Sequence, residues 1–231
     1  MSQFIELSIV ASLAFGQATP APKPEPAPTT PPQSVQAPAP IEAGFVSIFD
    51  GKTLEGWTGD TKGYAVESGA ITCLAQGSNL LTAKKYADFD LKFEFQLTSG
   101  ANNGIGIRMP VEGDAAYVGM EIQVLDNSHP KYADLKPWQF HGSIYGVVPA
   151  RREHLKPIGE WNYQEIIARG SHIRVILNGQ TIVDADVEKS ATDGTIDGKD
   201  HPGLRRQSGH IGFLGHGDKV SFRNLRIQEL N

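Results

Sequence analysis

The stretch Phe89-Asp90-Leu91-Lys92-Phe93-Glu94-Phe95-Gln96-Leu97 decides the fold. Apolar and polar side chains alternate along it without a break. A repeat of two belongs to an extended strand, whose successive side chains leave on opposite faces; a helix needs apolar residues three and four apart. The stretch therefore predicts a strand with one face in a core and the other in water. The same alternation recurs on either side. Ile105 and Ile107 share one parity ahead of Arg108, and Ile122 and Val124 alternate with Glu121 and Gln123. Ile173, Val175 and Leu177 run into Asn178-Gly179, with Thr181 to Val183 behind. Asn-Gly tolerates the positive φ of a two-residue hairpin turn. Phe213 and Phe222 flank the turn Gly215-His216-Gly217-Asp218, and Val220 to Leu230 predicts the last strand. No helical stripe runs longer than about two turns, and roughly a dozen short strands between turn residues predict an all-β antiparallel sandwich or barrel.

Composition bounds the class. Of 231 residues, 39% are hydrophobic and 20% charged, enough to build a core. The net charge of −5 argues against a nucleic-acid-binding face. The lone Cys73 excludes an internal disulfide and, within Ile71-Thr72-Cys73-Leu74, reads as a small core residue. Residues 1–18 resemble a secretory signal: Ile5 to Phe15 is mostly apolar, small residues follow at Gly16 and Ala18, and a cleavage after Ala18 fits. The segment departs from the pattern in lacking Lys or Arg near its start and in holding Glu6. It is too short to span a bilayer, so no transmembrane segment is expected. Residues 19–43 form a Pro/Ala-rich linker that carries 9 of the 15 prolines and predicts an extended, disordered tether. The expected organisation is a signal segment, a linker and one folded domain over 44–231, exported to the periplasm or the exterior. Two connections exceed hairpin length, Asn127 to Gly142 and Glu188 to Ser208, and long loops of this kind often form rims of sites.

Seven stretches, in order through the folded part, resemble a known family. They are Phe45 to Trp57 (with Phe49-Asp50-Gly51-Lys52-Thr53-Leu54 at its heart), Tyr86 to Leu91, Asn102-Asn103-Gly104-Ile105-Gly106-Ile107-Arg108, Glu121-Ile122-Gln123-Val124-Leu125-Asp126, Ser143-Ile144-Tyr145-Gly146, Gly159-Glu160-Trp161-Asn162, and Gly209-His210-Ile211-Gly212-Phe213 through Phe222 to Ile227. Together they resemble the 3-keto-disaccharide hydrolase family, also described as 3-keto-glucoside lyase/hydratase domains. The departures are Asn103, where Ser is usual, and Phe213-Leu214-Gly215, which removes an amide ahead of His216. The resemblance implies a concanavalin A-like lectin/glucanase jelly roll of two packed sheets, with one curved sheet carrying a carbohydrate site.

Strand alternation places Glu121 and Gln123 on one face, opposite Ile122 and Val124. By the same argument Arg108 and Arg223 are expected to face outward and to share that polar surface, with Asp126 just beyond and His216 on a glycine-flanked turn. The spacing Glu121-x-Gln123-x-x-Asp126 invites comparison with retaining glucanases, whose outer strand carboxylates stand about 5–5.5 Å apart. Here the middle position is an amide and the last a shorter Asp, which weakens an ordinary glucanase reading. The resemblance implies another route. A ketone at C3 acidifies the C2 proton; a base removes it, the enolate expels the C1 substituent, and water adds to the unsaturated product. Either Glu121 or His216 could be the base, Arg108 the partner of the enolate oxygen, and the other of the His/Glu pair, or Asp126, the acid. Gln123, Asn103, Tyr145, Trp138 and Arg223 are candidate substrate contacts, with Trp138 and Tyr145 suited to stacking on a sugar ring. Glu121, Asp126 and His216 could alternatively hold a divalent metal, although no tight ligand spacing is present. Trp57 and Trp161 read as core or edge residues, and His154, His172 and His210 as surface or strand residues. The same sandwich used as a lectin-like binding module, without turnover, is the rival reading.

Overall fold

A computed structural model describes residues 42–230. The expected signal segment, and the linker up to residue 41, lie outside the described residues. Thirteen strands carry the fold: β1 Val46–Ser47, β2 Trp57–Gly59, β3 Tyr64–Glu67, β4 Ala70–Cys73, β5 Asn79–Tyr86, β6 Phe89–Leu97, β7 Asn102–Met109, β8 Met120–Leu125, β9 Trp161–Arg169, β10 His172–Leu177, β11 Gln180–Asp186, β12 Gly209–Leu214 and β13 Val220–Glu229. Among the described residues two single-turn α-helices, α1 Ala115–Val118 and α2 Val187–Ser190, sit in the connections. The strands form two antiparallel sheets. The large one runs β11-β10-β9-β6-β13-β4-β3, with β1 added on β13; the small one runs β2-β5-β12-β7-β8. This is the expected all-β sandwich. Among the described residues no helix is long and apolar enough to cross a membrane.

The deciding stretch is the middle of the large sheet. β6 pairs with β9 on one side and β13 on the other, and Phe89, Leu91, Phe93, Phe95 and Leu97 are all buried. Their partners in alternation, from Asp90 to Gln96, are half-buried on the outer face. Each fully buried Phe or Leu contributes on the order of 1.5–3 kcal/mol through the water it sheds. The Asn178-Gly179 hairpin is present between β10 and β11, with φ of 48° and 84° at its two turn residues. Cys73 is buried and free, as expected.

Several connections pass between the two layers, and the one after β12 bears on the site. β12 belongs to the small sheet and β13 to the large one, so the turn after Leu214 carries the chain across the sandwich. Phe213 and Phe222, one from each sheet, stack across the core at 3.9 Å with 15° between ring planes. Trp57 also stacks with Phe213, at 5.1 Å.

Arg108 departs from expectation. It lies near the end of β7 with φ of 50°, in the left-handed region, opposite a register shift between His210 and Gly212. Positive φ breaks the strict alternation of side chains. The guanidinium is turned off the polar face and buried, at 1% exposure. Its Nε donates to Ala87 O at 3.2 Å, Nη1 to Gly170 O and Arg206 O at 2.7 and 3.2 Å, and Nη2 to Asp88 Oδ1 at 2.9 Å. Arg108 thus ties three connections together at one end of the sandwich. Arg108→Met strands those acceptors and is expected to lower the unfolding free energy by about 3–5 kcal/mol in urea titration. Arg108→Lys, which keeps the charge but loses the planar fork, should fall between. Wild-type stability in Arg108→Met would refute the assignment.

Candidate functional site

β7 and β8 lie side by side at one margin of the small sheet, with Gly104 opposite Gln123 and Gly106 opposite Glu121. Glu121 and Gln123 leave the outer face, as their parity requires, while Ile122 and Val124 enter the core with no exposed surface. The glycine is needed at 104: a Cβ there would lie 2.2 Å from Glu121 Oε1. The carboxylate therefore rests on bare backbone of the neighbouring strand. The amide orientation of Gln123 that meets both its neighbours sets Nε2 3.1 Å from Glu121 Oε1 and 3.1 Å from Asn103 O. The outer edge of β8 is closed by residues 142–145. Gly142 N donates to Gln123 O at 2.7 Å, Gln123 N to Ser143 O at 3.0 Å, and Tyr145 N to Glu121 O at 2.9 Å.

His216 reaches this strand from the crossing turn. Asp218 holds the turn by accepting the Asn102 backbone N–H at 3.0 Å. His216 Nε2 stands 3.9 Å from Glu121 Oε1, with the carboxylate side chain 7% exposed and the imidazole 50%. The Glu121 carboxylate is the main cause that lifts His216 above the ordinary histidine value; partial burial opposes it, and the charges of Asp218 and Asp114 add to the rise. A neighbouring carboxylate stabilises the charged form of the ring. Both line a cavity of roughly 240 Å³, together with Gln123, Tyr145, Asn102 and Tyr117. Tyr132, Gln139 and Asp114 complete its polar wall. A larger hollow, about 450 Å³, lies by β2 and β5, but its Asp50 carboxylate is already taken by the backbone N–H groups of Lys52 and Thr53 at 2.8 Å each.

The structure thus unites Glu121, Gln123, Tyr145 and His216 and separates the rest. Trp138 stands outside the cavity wall, edge-on to Tyr145 at 5.0 Å, where it steadies that ring. Asn103 is one residue out of phase. It shares the parity of Ile105, is wholly buried, and its Oδ1 accepts the Gly104 N–H at 2.9 Å, so Asn102 faces the cavity instead. Asp126 is buried with both oxygens in use: Oδ2 accepts Gly100 N at 2.8 Å, and Oδ1 accepts Ser128 N and Oγ at 3.0 and 2.6 Å. Burial pushes its carboxyl up, yet the Ser128 and Gly100 hydrogen bonds outweigh that and hold it below the ordinary aspartate value. It closes a turn and does not face His216. Arg223 does face outward, but from the large sheet, and the outer faces of a sandwich lie on opposite sides of the molecule. There it pairs with Glu94 Oε2 at 2.7 Å and covers the Trp161 ring at 3.9 Å. The trio proposed for a metal is broken by Asp126, and among the described residues no group of three His, Cys, Asp or Glu converges.

Alternation cannot find the cavity residues that come from connections. Tyr132 and Gln139 belong to the long 127–142 loop, whose length alone marked it. Asp114 and Tyr117 belong to α1 and its cap, where Asp114 Oδ1 accepts Ala116 N at 3.2 Å. The second long loop, 188–208, packs behind α1: Arg206 Nε donates to Val118 O at 2.6 Å, and the His201 ring meets Tyr117 edge-on at 4.8 Å.

A family model described as the 3-keto-alpha-glucoside-1,2-lyase-like domain matches residues 44–228. The chain is 29% identical to a 3-keto-disaccharide hydrolase of Bacteroides thetaiotaomicron, over 83% of this chain and 81% of that one. Two crystal structures from Parabacteroides distasonis, each described only as a candidate glycosyl hydrolase, are also similar. One has TM-score 0.72 at 30% identity and covers 80% of this chain and 99% of its own; the other has TM-score 0.71 at 26%, covering 81% and 94%.

Two outcomes are expected from the geometry. In a histidine NMR titration, His216 should have its midpoint above the ordinary histidine value, and Glu121→Gln should bring it down, because the carboxylate that stabilises the charged ring is gone. A midpoint unmoved by that change refutes the pairing. Gly104→Ala should displace the Glu121 carboxylate and cost about 10²-fold in turnover, the scale of an ångström-sized misplacement, with little change in melting temperature. Unaltered turnover would show that the carboxylate is not held there.

Proposed function

The chain belongs to the 3-keto-alpha-glucoside-1,2-lyase-like domain family, and on that premise we propose that it cleaves the glycosidic bond of 3-keto-glycosides by elimination followed by hydration. At the coarser level it is a carbohydrate-active protein of hydrolase type. The observation that carries the finer reading is the pair Glu121 and His216, a buried carboxylate facing a half-exposed imidazole whose proton affinity is raised. A carboxylate can serve as a base, and an imidazole that binds its proton more tightly can serve as the acid beside it. Glu121 takes the C2 proton, which the C3 ketone has made acidic. The C–H electrons form the enolate. Its collapse restores the ketone, forms a C1–C2 double bond and breaks the bond from C1 to the leaving oxygen, which receives the His216 proton. Water then adds its hydroxyl to C1 and a proton to C2, so that the sum is hydrolysis.

The retaining glucanase reading loses support, since it calls for a second strand carboxylate and Asp126 is occupied by Gly100 and Ser128. A lectin-like role would need only the cavity and its amides. Export, proposed from residues 1–18 and the proline-rich linker, suits an enzyme that meets its sugars outside the cytoplasm. The deciding assay incubates the protein with 3-keto-trehalose, a 3-keto-β-glucoside and the unoxidised sugars. The expected result is release from a keto substrate alone, abolished by Glu121→Gln. Binding without release from any sugar would establish the lectin-like role, and cleavage of the unoxidised glycan would overturn the elimination route.

A further inference from the structure

The proposed reaction puts negative charge on the C3 oxygen of the sugar. With Arg108 bound to acceptors at the end of the sandwich, that oxygen lacks the partner the sequence had suggested. We propose that Tyr117 is a catalytic residue, its phenol O–H donating a hydrogen bond to the C3 oxygen as the enolate forms, with Lys199 reinforcing it as a donor. This rests on the keto-glycoside reading above.

Tyr117 lines the same cavity as Glu121 and His216. It sits on α1, a helix of a single turn, which by itself holds a side chain poorly. Contacts from the 188–208 loop make up for this. Lys199 Nζ stands 2.7 Å from Tyr117 Oη, and the His201 ring lies edge-on to the Tyr117 ring. His201 Nε2 is 3.1–3.2 Å from both carboxylate oxygens of Asp197, and both side chains are 1% exposed. Asp197 Oδ1 also accepts the Lys199 backbone N–H at 3.0 Å and the Thr195 hydroxyl at 2.9 Å. The knot packs directly behind the wall that Tyr145 forms. A Cβ at Gly146, where φ is 73°, would lie 2.5 Å from Asp197 Oδ2. A buried carboxylate with this many bonds is more framework than a solvent-exposed connection requires. Its effect is to hold an exposed lysine against one phenol, which makes Asp197 and His201 positioning residues.

The direction of the Lys199 bond decides the chemistry. An ammonium group has donors and no acceptor, so Lys199 gives the hydrogen bond and the phenol oxygen receives it. The phenol proton stays free for an acceptor in the cavity, and the adjacent charge strengthens it as a donor. No proton leaves Tyr117 in this step. Glu121 removes the C2 proton, the C3 oxygen gains charge against the Tyr117 O–H, and His216 still supplies the proton for the leaving oxygen.

The test uses the full chain and two rates. One is release of the C1 substituent from a 3-keto-glycoside. The other is exchange of the C2 hydrogen for deuterium in D₂O with 3-keto-1,5-anhydroglucitol, which enolises but has no leaving group at C1. Tyr117→Phe keeps the ring that packs on His201. It should lower both rates by about 10²–10³-fold with little change in KM, the usual loss for one oxyanion donor. Lys199→Met, at an exposed position outside the fold's core, should lower both rates by less, with Lys199→Arg partly restoring them; it serves as the second variant should Tyr117→Phe fold poorly. Wild-type exchange in either Tyr117→Phe or Lys199→Met overturns the inference and leaves the functional reading standing. A wild-type protein that neither exchanges C2 hydrogen nor releases product from the keto sugars overturns both.

Discussion

The stack of Phe213 on Phe222 sets the relation between the two sheets. Each ring belongs to a different sheet, and they meet at 3.9 Å in the core, with Trp57 5.1 Å from one and Phe93 6.3 Å from the other. Aromatic contacts of this kind contribute about 0.5–1.5 kcal/mol each beyond the area they bury. Their larger effect is geometric. The chain between them crosses the sandwich, so both ends of the turn bearing His216 are anchored in packed core. Glu121 is anchored likewise, through Ile122 and Val124 on the reverse of its own strand. The separation of the carboxylate and the imidazole thereby inherits the rigidity of a close-packed interior.

Much of this was legible in the sequence, for physical reasons. A period of two names the inward and outward residues of a strand, and so Phe89 to Leu97, the Asn178-Gly179 hairpin and the outward pair Glu121 and Gln123 could be read directly. Alternation is silent about which sheet a strand joins. Arg223 and Glu121 both point outward, yet from sheets on opposite sides of the molecule. It is also only as good as the backbone's regularity. At Arg108 a positive φ ends the pattern and swings the guanidinium into the interior. Asn102 and Asn103 show the remaining ambiguity: two like residues in succession, one for the cavity and one for the core, with only the phase of the strand to tell them apart. Tyr117 depends on Lys199 and His201, far along the chain in a different loop, and no local pattern reports a contact of that span.

Two residues that look chemical in the sequence turn out to serve the loops. Arg108 satisfies three backbone carbonyls at connections, and Asp126 satisfies two backbone N–H groups and a hydroxyl. Connections in a sandwich turn sharply and leave polar backbone groups that neither sheet can pair. A long planar donor and a short carboxylate are efficient ways to meet them. A charged residue next to a site can thus be bound up with the site's framework without touching the substrate.

The closed margin of β8 has a further meaning. A strand at the border of a sheet offers unpaired N–H and C=O groups, to which a peptide or a second copy of the chain can add as another strand. Gly142, Ser143 and Tyr145 occupy those positions on β8 with their own backbone. The strand that carries Glu121 is thereby protected from edge-to-edge association, while its side chains stay open to a sugar from the face. The segment that supplies this protection also delivers Tyr145 to the cavity, so resistance to aggregation and the shape of the binding surface are encoded in the same short run of chain.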